Sequence, residues 1–278
     1  MKLYIFIISL TFICIQSQAQ DYVDVVKASG NFTQMGNVDN NQKTNIFNQN
    51  LTLYYPKRLN KDLVLISGFA FENTSLNLSQ ETGAENLMMA RLHLGVKHQH
   101  SEKWSGTYVF LPKIASNFKN VGIRDFQLGG LALFGYEISD TWKLKFGVYA
   151  SSENHGSTVT PLLGVWHRSK NNKFYINATL PIRMDINYNI IKGFSLGADL
   201  LTSVKSYNIS QDIGDLYVQE ESIRGAFYAS YAFKEKSIIL RARAGIDLSD
   251  YSEFNLGDKI GAQLLTFPLG GDNRNRLN

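Results

Sequence analysis

Residues 240–248 read LRARAGIDL, in which apolar and polar side chains alternate without a break. Because successive side chains of a β-strand point to opposite faces, Leu240, Ala242, Ala244, Ile246 and Leu248 share one face. The opposite face carries two arginines and an aspartate. A helix, with its period of about 3.6 residues, would mix the two sets. The stretch therefore predicts a strand with one apolar and one charged face.

The same period of two recurs along most of the chain. Further examples are FSLGADL at 194–200, WKLKFGV at 142–148, FQLGGLALFGY at 126–136 and IRGAFYASYAF at 223–233. Roughly ten segments follow this pattern, whereas apolar stripes with a helical period are scarce. The chain is therefore predicted to be all-β.

The connections between these segments are of two kinds that alternate. Short polar turns are expected at 60–62, 101–103, 139–141, 170–172, 192–193 and 234–236, and longer polar loops at 36–43, 79–86, 117–125, 152–158, 208–216 and 249–258. Aromatic residues such as Trp104 and Trp142 directly follow short turns, as in an interfacial girdle. Short turns at one rim and long loops at the other predict an antiparallel up-and-down transmembrane β-barrel of about 12 strands, within a range of about 10–14.

The first 19 residues have the order of a signal peptide. Lys2 precedes an apolar run, and Ser17-Gln18-Ala19 supplies a small-x-small cleavage signal. The run of about 13 residues is shorter than the roughly 20 that span a bilayer as a helix. We expect cleavage after Ala19, a single barrel domain over 20–278, and a disordered tail at 268–278.

Composition excludes several classes of function. The only cysteine, Cys14, lies in the predicted signal peptide, so disulfides, thiolate catalysis and cysteine-bound metals are excluded from the mature chain. Loss of Lys2 changes the formal charge from +4 to +3 (4 − 1), and no basic block occurs. We therefore expect no nucleic-acid partner. No cofactor or metal is predicted either.

Charged residues opposite the apolar rows are the largest candidate site. In a barrel they would line the lumen, because a charge facing lipid costs about 2–4 kcal/mol at midplane. These predicted lumen residues are Arg91, Lys143, Lys145, Asp199, Arg224, Arg241, Arg243 and Asp247. Two interpretations stay open: a pore that prefers anions, or a plug of paired charges.

A catalytic interpretation rests on the segment 151–158. His155 and Ser157 are two residues apart, so an extended segment presents them on one side, as in the His-x-Ser of outer-membrane lipid hydrolases. Ser157 would be the nucleophile, His155 the base and Glu153 the residue that orients the imidazole. The alternative is a solvated polar loop. His98 and His100 also share one face before a turn, and there too a solvated rim is the expectation.

Leu180-Pro181-Ile182, Tyr188 and a repeated Gly-x-x-aromatic texture, together with the exported start, resemble uncharacterised outer-membrane β-barrel families of Gram-negative bacteria, including those classed as domains of unknown function. The resemblance covers nearly the whole mature chain. It implies a cell outer-membrane location and carries no assigned reaction.

The sequence thus predicts a non-enzymatic outer-membrane barrel, either a small porin-like channel or a structural surface protein. Its expected partners are outer-membrane lipid, the barrel-assembly machinery and, for an open lumen, small solutes. Two alternatives stand beside it: a lipid hydrolase that uses Ser157 and His155, and a soluble secreted β-sandwich or β-barrel binding protein.

Overall fold

The computed structural model describes residues 25–36, 43–77, 84–210, 215–233 and 238–255. They form one sheet of fifteen strands and a single-turn 3-10 helix at Ile123–Asp125, which confirms the all-β prediction. In this part of the chain no helix is long and apolar enough to span a bilayer. The strands are β1 (Val26–Gly36), β2 (Lys43–Arg58), β3 (Leu63–Asn77), β4 (Ala84–Gln99), β5 (Trp104–Phe110), β6 (Lys113–Ser116), β7 (Phe126–Gln127), β8 (Gly129–Ser139), β9 (Trp142–Glu153), β10 (Gly156–Arg168), β11 (Phe174–Leu180), β12 (Arg183–Ile191), β13 (Phe194–Ser210), β14 (Asp215–Phe233) and β15 (Ile238–Asn255).

The sheet is an antiparallel meander in which thirteen strands follow one another in the order β1-β2-β3-β4-β5-β8-β9-β10-β11-β12-β13-β14-β15. The two remaining strands extend members of this path. On β4, Phe110 of β5 pairs with Leu94 and Lys113 of β6 pairs with Arg91, so β6 continues β5 in the same register. In the same way β7 continues β8.

A ring of nine strands closes within this sheet. Besides pairing with β4, β6 makes one parallel pairing with β13, where Ser116 lies opposite Asn208. This contact closes β4, β5, β8, β9, β10, β11, β12, β13 and β6 into a barrel, and the other six strands lie outside the ring. The predicted β-barrel is thereby confirmed. Its closed ring has nine strands and not the predicted number of about 10–14, because the pairing of β6 with β13 leaves six strands of the sheet outside the ring.

Several strands run further into the long-loop end than the sequence indicates. β9 continues to Glu153 and β10 begins at Gly156, so the loop predicted at 152–158 is only a tight turn. Similarly, β14 begins at Asp215 and β15 ends at Asn255, inside loops predicted at 208–216 and 249–258. These predictions were wrong because polar residues on both faces hide a strand from a search for alternating polarity, although their backbone groups still pair.

The two faces of the sheet differ in the sense predicted from the alternation. Large apolar side chains are exposed on the outward face, as at Phe227, Leu163 and Ile246, which are 79%, 70% and 69% exposed. On the inward face, charged side chains such as Lys113 and Glu220 are buried. The predicted signal peptide (1–19) and tail (268–278) lie outside the described residues.

Candidate functional site in the barrel interior

The end of β13 is buried on both faces. Lys205 and Tyr207 point towards β3 and β14. On the other face, Ser206 points towards β7 and β9, and Asn208 points towards the 3-10 helix. Ser206 and Tyr207 are both completely buried. A barrel strand ordinarily has one face towards the lumen and one outwards. The end of β13 therefore crosses the interior and organises one buried cluster on each of its faces.

The first cluster, here the Glu153 cluster, surrounds a buried carboxylate at the end of β9. Its Oε1 accepts hydrogen bonds from Lys113 Nζ at 2.5 Å and Ser151 Oγ at 2.6 Å. Its Oε2 accepts from the backbone N and the Oγ of Ser206, both at 2.9 Å. Gln127 Nε2 donates to the carbonyl oxygen of Ser206 at 2.9 Å. Both carboxylate oxygens thus have two donors, which offset the cost of burying the charge.

The long loop after β6 is tied to the same end of β13. Asp125, fully buried in the 3-10 helix, accepts hydrogen bonds from Asn208 Nδ2 and Gly122 N, both at 2.7 Å. The backbone N of Asn117 donates to the carbonyl oxygen of Asn208 at 3.1 Å. The loop therefore folds inwards over the barrel end.

The second cluster, here the Glu220 cluster, lies on the opposite face of β13. Glu220 is completely buried and accepts hydrogen bonds from Arg224 at 2.9 Å and from the Tyr207 hydroxyl at 3.1 Å. Lys205 forms an ion pair with Glu72 of β3, and its Nζ lies 3.8 Å from Glu220 Oε2. Two carboxylates and two cations therefore balance each other in the buried space between β13, β14 and β3, on the side of β13 away from the Glu153 cluster.

This cluster extends to the two ends of the described sheet. Arg224 Nε donates to Asp247 Oδ2 of β15 at 3.2 Å. The same oxygen accepts a hydrogen bond from Thr33 Oγ1 of β1 at 2.9 Å. The first and last described strands are thus linked through the interior, and the predicted lumen residues Arg224 and Asp247 are direct partners.

An apolar layer packs beside the clusters at the long-loop end. Tyr207 and Ile209 of β13 contribute to it, together with Val218 of β14, and all three are at most 1% exposed. The remaining buried members are Ile46, Leu76, Leu87, Met89, Ala115 and Tyr251. The apolar layer and the two ion-paired clusters together fill this end of the interior with side chains.

The half of the interior near the short turns is more open. Asp199 Oδ1 and Oδ2 lie 2.5 Å from Arg243 and 3.8 Å from Arg241, and Arg241 also lies 3.3 Å from Asp185. Arg241 stacks over the Tyr228 ring at 3.8 Å. These arginines are about a third exposed, so solvent screens the pairs.

The other predicted lumen residues lie elsewhere on the inward face. On β9, Lys143 pairs with Glu137 at 3.0 Å and Lys145 donates a hydrogen bond to Asn177. On β4, the buried Nε of Arg91 has no hydrogen-bond partner among the described residues. The predicted set is therefore divided into separate pairs around the wall.

The structure does not assemble the proposed catalytic group into a triad. Glu153 is engaged by Lys113, Ser151 and Ser206 and does not orient an imidazole. His155 is 3% exposed, and its Nδ1 has no partner among the described residues, while Ser157 is exposed on β10. Burial lowers the pKa of the His155 imidazole and Lys113 adds to this effect, while Glu153 opposes it.

Sequence reasoning missed the acidic partners of the buried cations. Glu72 lies on β3, two residues after Ala70 of the inward row. Because residues two apart share one face of a strand, this spacing could have shown that Glu72 points inwards. Glu220, in the acidic pair Glu220-Glu221, gives no such signal, yet it is a buried residue of β14. The local pattern is uninformative there, because this part of β14 carries polar residues on both faces.

Comparison with known proteins gives a family but no function. No curated protein and no solved structure matches the chain. A family model described as a domain of unknown function, DUF6268, matches residues 64–259, which run from β3 to the end of the described sheet. The match includes both clusters and the nine-strand ring. The chain belongs to the DUF6268 family of domains of unknown function.

Proposed function

We propose that this chain is an outer-membrane β-barrel that is closed at its long-loop end and acts as a structural or surface protein, without enzymatic activity and without an open diffusion channel. The observation that carries the proposal is the opposite character of the two faces at that end. Apolar side chains are exposed outwards, while Glu153 and Glu220 are buried inwards with their cationic partners.

The outward face supports a lipid environment. A protein in water ordinarily buries its large apolar side chains and exposes its charges. Here Phe227 and Leu163 are exposed, whereas Lys113 is buried. A bilayer reverses the preference for the outer surface, because its hydrocarbon solvates these side chains. This arrangement favours a membrane barrel over the soluble β-protein. Outer-membrane lipid and the barrel-assembly machinery are its proposed partners.

The filled end supports closure. A conducting pore needs a continuous water path through the lumen, but the apolar layer around Tyr207 and Ile209 is buried and packed. The charges beside it are paired with each other and therefore offer no free site for an ion. The paired plug is favoured over the anion pore on these grounds.

Two measurements test the proposal. Cell fractionation and gel mobility come first: we expect the chain in the outer-membrane fraction, with a mobility that changes on heating. Recovery in the periplasm or medium, with no mobility change, would rule out the barrel in a membrane.

Planar-bilayer recording of the refolded chain then tests closure. We expect no steady conductance from the wild type. Glu220→Ala should admit current by loosening the plug, while Glu137→Ala, which removes a half-exposed pair outside both clusters, should stay silent. Steady, salt-dependent conductance of the wild type would overturn the closed barrel and favour the pore.

A further inference from the structure

A pair of histidines lies at the short-turn end of the barrel, away from both buried clusters. His98 and His100 flank the end of β4, and their Nδ1 atoms are 2.9 Å apart. By register His98 lies beside Gly106 and Phe134, on the same outward face as Trp104. The pair is therefore accessible from the rim and not from the lumen.

The distance between the two nitrogen atoms suits one shared metal ion. Two imidazole nitrogens at about 2.0–2.1 Å from a metal, at an angle of about 90°, are about 2.9 Å apart. That angle is the cis edge of square-planar or octahedral coordination, which copper and nickel prefer. In the structure the two Nδ1 atoms form a hydrogen bond, whose proton a metal ion would replace, and the rings make an edge contact at 4.5 Å between centroids.

The surroundings hold His100 in the required orientation. Its Nε2 lies 3.2 Å from the Tyr108 hydroxyl, so Nε2–H can donate there and leave the Nδ1 lone pair for a metal. Gly106 provides the space: a Cβ at this position would lie 2.6 Å from both His100 Nε2 and the Tyr108 hydroxyl oxygen. A ligand, its hydrogen-bond partner and a glycine that makes room for them thus meet at one place.

We propose that His98 and His100 bind a divalent transition-metal ion, with Cu²⁺ preferred, through their Nδ1 atoms at the short-turn rim. Among the described residues no group of three or more His, Cys, Asp or Glu side chains can hold a metal, so water completes the coordination. Imidazole is a suitable ligand for copper, and Cu²⁺ has the highest affinity of the divalent first-row series.

The test uses the refolded full chain in detergent micelles with Cys14→Ser, which removes the only thiol. Titration with Cu²⁺ alone, followed by electron paramagnetic resonance, should show one equivalent bound with hyperfine coupling to two nitrogen atoms. His98→Ala and His100→Ala should each weaken binding at least tenfold and leave coupling to one nitrogen. Tyr108→Phe should weaken it by about tenfold through loss of the outer hydrogen bond.

His167→Ala is the matched control. His167 lies on the outward face near the same rim, but it stacks on Trp142 at 4.0 Å and its Nδ1 faces the Thr141 carbonyl oxygen at 2.8 Å. Its replacement should leave Cu²⁺ affinity unchanged. Absence of stoichiometric binding, or binding that survives both His98→Ala and His100→Ala in chains folded by circular dichroism, would overturn the proposal.

Discussion

Lys113 and Glu153 form a buried ion pair between β6 and β9, with Nζ and Oε1 2.5 Å apart and both side chains at most 4% exposed. The pair connects the strand that closes the nine-strand ring with the far side of that ring. Loss of one partner leaves the other charge buried and uncompensated. We expect Lys113→Ala to lower the free energy of unfolding by about 3–5 kcal/mol.

Urea unfolding in lipid vesicles measures this loss. The control is Lys143→Ala, which breaks the 3.0 Å pair with Glu137, where the side chains are 41% and 31% exposed. An exposed pair of this kind contributes about 0–1 kcal/mol. Equal effects of the two alanine variants would contradict the structural role assigned to the Glu153 cluster.

The Glu220 cluster should depend on its central carboxylate. Glu220→Ala leaves Lys205 and Arg224 with fewer acceptors, and Tyr207 loses the acceptor of its hydroxyl. We expect a loss of about 3–5 kcal/mol in the same unfolding assay. Arg243→Ala is the control, because it breaks a partly exposed pair with Asp199. It should lower the free energy of unfolding by much less than Glu220→Ala does.

A charge on the outward face separates the membrane barrel from a soluble protein. Leu163 is 70% exposed on β10, and Ser157 lies on the same face at the long-loop end. In a bilayer, Leu163→Arg should lower the free energy of unfolding by about 2–4 kcal/mol, and Ser157→Arg should lower it by about 0–1 kcal/mol. In a soluble protein each substitution would change the free energy of unfolding by about 0.5 kcal/mol or less, because both sites are exposed to water. Urea unfolding in vesicles gives the two values.

Lipid hydrolysis should be absent. Since Glu153 is held by Lys113 and Ser206, the group lacks an orienting carboxylate for His155. Phospholipid and lipopolysaccharide deacylation by the refolded chain should equal the background, with no difference between the wild type and Ser157→Ala. Activity that disappears in Ser157→Ala would establish the hydrolase instead.

Acid should weaken the fold in part through His155. Because burial lowers its pKa below the ordinary value of about 6.5, the unfolded chain takes up a proton more readily than the folded chain. The contribution of neutral His155 to the free energy of unfolding is complete above about pH 6.5. It decreases as the pH falls towards the pKa of His155 in the folded chain. His155→Gln should therefore flatten the decline in unfolding free energy below that pH. An unchanged slope would contradict the burial effect.

The sequence by itself determined the strands and the character of their two faces. The alternation in 240–248 places Arg241 and Arg243 opposite Leu240 and Ile246 in any extended conformation, because side chains alternate along a strand whatever it packs against. Local turn signals likewise placed most of the short connections. The strands, the polarity of their faces and the short turns depend on residues that are close together in the chain, so a local sequence pattern predicts them.

Only the tertiary structure decided which charges meet. Lys205 and Glu72 are 133 residues apart, and Thr33 and Asp247 are 214 apart, so no local pattern relates them. The inward course of β13 also came from the fold: β7 and β9 cover one of its faces and β3 and β14 the other, so polar residues are buried on both faces. A contact between distant strands depends on closure of the sheet, and therefore the paired plug could be seen only once the strands were in place.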